Sequence, residues 1–113
     1  MIDVFIYQTP NGDYTGFQMK GHAGYADYGK DIVCAAVSAL VINTINSVAE
    51  FTEDIFENAV DSDQDLVSFA ITSRPVSESS KLLLQSLVLG LSGIESEYGK
   101  KHIKIHFEKK QEV

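Results

Sequence analysis

Cys34 is the single cysteine of the 113-residue sequence, and His22 stands twelve residues before it. A thiolate attacks a carbonyl carbon readily, and an imidazole can take the thiol proton and return it to a leaving amine. The two types together are the minimum kit for acyl transfer. Between them runs Gly21-His22-Ala23-Gly24-Tyr25-Ala26-Asp27-Tyr28-Gly29-Lys30. Small residues such as Gly21, Gly24 and Gly29 let a substrate backbone approach and leave N–H groups free for an oxyanion. Tyr25 and Tyr28 are the apolar anchors of that stretch, suited to ring packing over an aromatic-rich peptide.

Asp31 reads as the N-cap of a helix, because its carboxylate can accept from the free N–H groups of a first turn. Cys34 then falls in that first turn, where the positive end of the helix dipole favours a thiolate. Asp31, three residues before, and Ser38, four after, share its face. Spacing alone leaves plainer readings open. A cysteine on an apolar helix also serves as a small buried hydrophobe. His22 can satisfy a loop carbonyl, Asp31 can be a cap alone, and Ser38 can back-bond to a carbonyl one turn earlier.

The elements that must position these residues follow from periodicity. Ile2, Val4 and Ile6 alternate with Asp3, Phe5 and Tyr7, the period-two pattern of a strand. Thr9-Pro10-Asn11-Gly12-Asp13 supplies turn residues, and Tyr14 to Lys20 reads as the returning strand with Phe17 and Met19 inward. The helix beginning after Asp31 should reach about Phe51, and its first half is apolar nearly all round, as in a core helix. Asp54 to Val60 stays ambiguous between a frayed helix end and a short strand. Asp61 to Asp65 is a turn and Leu66 to Thr72 a strand. Pro75 and Ser77 open a second helix with Leu82, Leu83, Leu87, Ile94 and Tyr98 at helical spacing, part of which could face a partner subunit. Gly99 stops it, with Lys100 and Lys101 beside the negative dipole end. Ile103, Ile105 and Phe107 make a final strand. The order is ββαββαβ, an α+β fold with two helices packed against a mixed sheet, in a single domain over residues 1–113.

Composition bounds the function. Hydrophobic residues make up 44% and charged ones 22%, enough for one ordinary core. The net charge of −7, from 9 basic and 16 acidic residues, argues against direct nucleic-acid binding through phosphates and suits a basic partner. One cysteine forms no internal disulfide, so an oxidising compartment is not required. Met1-Ile2-Asp3-Val4 lacks the basic head and apolar run of a signal peptide. The longest apolar stretch, Ile32 to Ile42, is interrupted by Ser38 and is short for a membrane span. The cytosol is the expected location.

Three other patterns carry less. Gly24 to Lys30 has the spacing of a phosphate-binding loop, but Asp31 stands where Ser or Thr should hold magnesium, and Asp27 would repel phosphate. Asp61-x-Asp63-x-Asp65 resembles the start of a calcium loop, yet Leu66 replaces its glycine and Thr72 its glutamate. His102 and His106 would stand about 13 Å apart on a strand, too far to share one ion. With one cysteine and no other cluster, no metal site is expected.

Gly21-His22-Ala23-Gly24-Tyr25-Ala26, then Gly29-Lys30-Asp31-Ile32-Val33-Cys34-Ala35-Ala36-Val37-Ser38-Ala39, resembles the signature of the ribosomal-processing cysteine protease family, Prp. The likeness extends along the whole chain in length and element order, and its specific part runs from Gly21 to Ser38. The resemblance implies a catalytic dyad of His22 and Cys34, with no cofactor. It implies as substrate the N-terminal extension of a bacterial large-subunit ribosomal protein, cut after an apolar, aromatic-containing stretch. It also implies a homodimer. Asp31 and Ser38 are expected as supporting residues, and Gly21, Gly24, Tyr25, Tyr28 and Gly29 as the substrate loop. The alternative is a non-catalytic assembly module that grips the same ribosomal protein. A small nucleotide-binding domain is a third class.

Overall fold

The computed structural model describes residues 1–21 and 32–110. Along them run β1 (Ile2–Gln8), β2 (Tyr14–Gly21), α1 (Ile32–Phe51), β3 (Phe56–Asp61), β4 (Leu66–Ile71), α2 (Glu78–Tyr98) and β5 (Ile103–Lys109). The expected order holds, and the ambiguous middle segment is a strand.

Alternation in β1 puts Ile2, Val4 and Ile6 in the core, while Asp3, Phe5 and Tyr7 lie half-buried on the opposite face. The turn to β2 closes through the Gly12 N–H, which donates to the Thr9 carbonyl at 2.9 Å, with Gly12 at φ +91°. A residue with a side chain seldom adopts that conformation. The sheet has the order β3-β4-β2-β1-β5. β5 runs parallel to β1 and every other pairing is antiparallel, so the sheet is mixed. Phe17 of β2 and Phe69 of β4 face each other in register and stack at 5.3 Å, both fully buried. Removing an aromatic ring of this size from water contributes about 1.5–3 kcal/mol.

Both helices add to this one cluster, α1 through Val33, Val37, Val41 and Val48, and α2 through Leu84, Leu87, Val88 and Leu91. Expectation and structure part at two places. The first half of α1 is apolar nearly all round, yet only one face is buried, and Ile32 and Ile42 stand exposed. On α2 the inward stripe steps from Leu84 to Leu91, which leaves Leu82 on the outer side at 66% exposure. The apolar run ends at Ile42, where Asn43 and Thr44 follow. α1 as a whole reaches Phe51 and is, by length and composition, long and apolar enough to cross a bilayer. Its valine face is packed into the core of this domain instead.

Helix ends follow sequence chemistry. The Ser77 hydroxyl caps α2 by accepting from the Ser80 N–H at 3.1 Å, and the Gly99 N–H closes it by donating to the Glu95 carbonyl at 2.8 Å. The Asp54 carboxylate, just past α1, accepts from the Ser77 hydroxyl at 2.6 Å and from the Ser80 hydroxyl. One carboxylate thereby ties the exit of α1 to the entry of α2. The Asp61 carboxylate accepts from the backbone N–H groups of Asp63 and Gln64, as a turn residue does. His106 is more than a surface histidine. It lies 2.9 Å from the Asp3 carboxylate and stacks on Phe5 at 4.6 Å.

Candidate active site

Cys34 is the third residue of α1. Its helix begins where β2 has delivered the chain to one end of the sheet, and Val33 on its inward face anchors that turn in the core. Cys34 is half-buried, packed against the core from outside. It opens on a cleft of about 220 Å³ shared with Ser38, one turn further along the same helix, and with Gly21, the last residue of β2. Among the residues expected at the site, the structure brings these three together. His22, Gly24, Tyr25, Tyr28, Gly29 and Asp31 lie outside the described residues.

Gly21 belongs to the sheet and pairs with Ile2 across the β1–β2 ladder. Its φ is +95°, and a Cβ there would meet the Met1 carbonyl oxygen at 2.5 Å. Conformation and space both demand glycine at the residue that precedes His22.

The remaining walls come from far along the chain. Met19, Val60, Leu66 and Val67 give the cleft an apolar lining, and Asp61 at the end of β3, with Ser62 and Asp65 of the turn that follows, gives it an acidic rim. The register explains this. Met19 pairs with Val67, and Val67 with Val60, so three neighbouring strands put one residue each on the helix side near Cys34. Asp61 to Asp65 reads from the sequence as a turn, with no local signal that it shares a cleft with Cys34. Such a cleft can hold an apolar side chain of an extended peptide beside the Cys34 sulfur, with carboxylates at hand for a basic flank.

The comparisons with known proteins agree with this chemistry. The family model described as cysteine protease Prp matches residues 1–104. The chain is similar to the ribosomal processing cysteine protease Prp of Staphylococcus aureus, 33% identical over 99 residues that cover 87% of this chain and 92% of that one. The protein of the same name from Bacillus subtilis is 29% identical over 101 residues, 87% of this chain and 90% of that one. In three dimensions the fold superposes on the S. aureus protease in complex with a covalently linked product peptide, with a TM-score of 0.88 and 29% identity over 96% of this chain and 100% of that one. The same protease with a substrate peptide gives a TM-score of 0.84 at 28% identity, with the same coverage. The chain therefore belongs to the Prp family of cysteine proteases.

Proposed function

We propose that this enzyme removes a short N-terminal extension from a bacterial large-subunit ribosomal protein, with Cys34 as nucleophile and His22 as general base. The observation that carries the reading is Cys34 in the first turn of α1, opening on a cleft with an apolar lining and an acidic rim. Support comes from the S. aureus relative, crystallised with a substrate peptide and with a covalently linked product peptide.

In this mechanism His22 takes the thiol proton and the Cys34 sulfur attacks the scissile carbonyl carbon. The C–N bond breaks as His22 returns the proton to the departing amine, leaving a thioester. Water, deprotonated by His22, then attacks the thioester and releases the new C-terminus and the thiol. Backbone N–H groups of the glycine loop, with Gly24 and Gly29, are assigned to the oxyanion, and Tyr25 and Tyr28 to the substrate. Asp31 and Ser38 support the pair. The basic character of ribosomal proteins matches the net charge of −7. The reading places the enzyme in the cytosol as a homodimer, and the exposed Leu82 and Leu89 of α2 are available to a second copy.

The test is incubation of the purified protein with a synthetic peptide that spans the extension and the start of the mature ribosomal protein, followed by mass spectrometry. Two fragments are expected from the wild type and none after alkylation. A peptide that is bound but never shortened would replace this reading with a non-catalytic assembly module.

A further inference from the structure

β3 stands at an end of the sheet and, among the described residues, is hydrogen-bonded to β4 alone. Soluble proteins ordinarily blunt such an edge with lysine, proline, a bulge or a covering element. β3 reads Phe56-Glu57-Asn58-Ala59-Val60-Asp61, with neither lysine nor proline, and pairs with β4 from Phe56 to Asp61 without a register shift. The inner face of β3 is open over its second half, since Phe56 packs against the core and, among the described residues, nothing buries the positions beyond it. Asn58 and Val60 pair with Phe69 and Val67, the helix-side residues of β4, yet both are exposed, Val60 at 70%.

The end of this edge strand is part of the site. Val60 and Asp61 belong to β3 and also line the Cys34 cleft. An extended peptide laid along the edge would have its backbone groups paired by β3 and its chain led to the sulfur. Side chains of such a strand alternate between faces, so every second one would face the apolar lining of Val60, Leu66, Val67 and Met19. Charge fits a basic flank, because residues from Asp54 to Ser73 include five carboxylates and no lysine or arginine.

We propose that the peptide substrate adds to β3 as an extended sixth strand of the sheet, with an apolar residue against Val60 and its scissile bond in the Cys34 cleft. This rests on the protease reading above. Main-chain pairing supplies affinity that does not depend on side chains, and the cleft supplies the selection.

The test uses the synthetic extension peptide and the Cys34→Ala variant. Saturating peptide should slow hydrogen exchange at every second amide of residues 56–61, those directed away from β4, by roughly tenfold or more. In turnover by the wild type, N-methylation of single peptide amides should raise KM in an alternating pattern along the peptide. Val60→Lys, which alters an exposed position of β3 that also lines the cleft, should lower kcat/KM roughly tenfold. Cleavage by the wild type with no slowing in residues 56–61, or with an even response to N-methylation, overturns strand addition and leaves the protease reading standing. Failure of the wild type to cleave removes both.

Discussion

The Gly21 N–H donates to the Asp65 carbonyl at 3.0 Å, which joins the last residue of β2 to the turn that rims the Cys34 cleft. Asp65 itself sits at φ +51°, in the left-handed region that few residues with side chains occupy. The residue before His22 and one wall of the cleft are thus joined by a backbone hydrogen bond between two constrained positions.

Gly21→Ala is therefore expected to act on both stability and turnover. Its φ of +95° disfavours a side chain, and the Met1 carbonyl oxygen at 2.5 Å leaves no room for the Cβ. Strain of this kind amounts to about 1–3 kcal/mol. A lowered melting temperature with reduced kcat/KM is the expected result. An unchanged melting temperature would show that the chain end relaxes without strain.

Cys34→Ala and Cys34→Ser should abolish peptide cleavage, by roughly a thousandfold or more. Cys34 is only half-buried against the core, so stability should fall by no more than about 1 kcal/mol. Circular dichroism with a mass-spectrometric cleavage assay reads both. Turnover in either variant would eliminate the nucleophile assignment.

His22→Ala should lower kcat by about 10²–10⁴-fold, the usual contribution of a positioned base, with KM changed much less. A variant that loses only KM would reassign His22 to substrate binding.

The Asp54 knot gives the fold an acid-sensitive joint. Burial pushes its carboxyl up, but hydrogen bonds from the Ser77 hydroxyl, the Ser80 hydroxyl, the Ser77 N–H and Ser73 outweigh burial and hold it below the ordinary value of 3.8. A carboxyl that is a stronger acid when folded stabilises fully above its unfolded value, and that contribution is lost as pH falls through the folded one. Asp54→Asn should therefore melt lower than wild type at neutral pH, with the gap narrowing below about pH 4. Parallel melting curves across that range would show that the carboxylate charge contributes nothing. Ser77→Ala, which removes the α2 cap as well, should cost about 1 kcal/mol.

Legibility in the sequence followed local signal. β1 was readable because Ile2, Val4 and Ile6 alternate with half-buried residues, and α2 because Ser77 and Gly99 carry the chemistry of its two ends. β3 was not, since an edge strand exposed over Glu57 to Val60 has no buried face to write an alternation. The inward face of α1 was hidden in a helix with apolar residues on every side, and only the packing of Val33, Val37 and Val41 reveals it. At the site, Cys34 and its helix turn are local and could be read. Val60, Asp61 and Asp65 reach Cys34 through strand pairing alone, which no spacing near Cys34 records.

The parallel pairing of β1 with β5 has a consequence for when the enzyme comes into being. Ile2 lies beside Ile103, and Ile6 beside Phe107, so β1 waits on β5 for one of its two flanks. Contacts between positions so distant in sequence slow folding, and they cannot form until the distal strand has left the ribosomal tunnel. A nascent chain arrested before residue 103 should remain open to protease digestion. The processing enzyme would then become competent only after β5 has been synthesised.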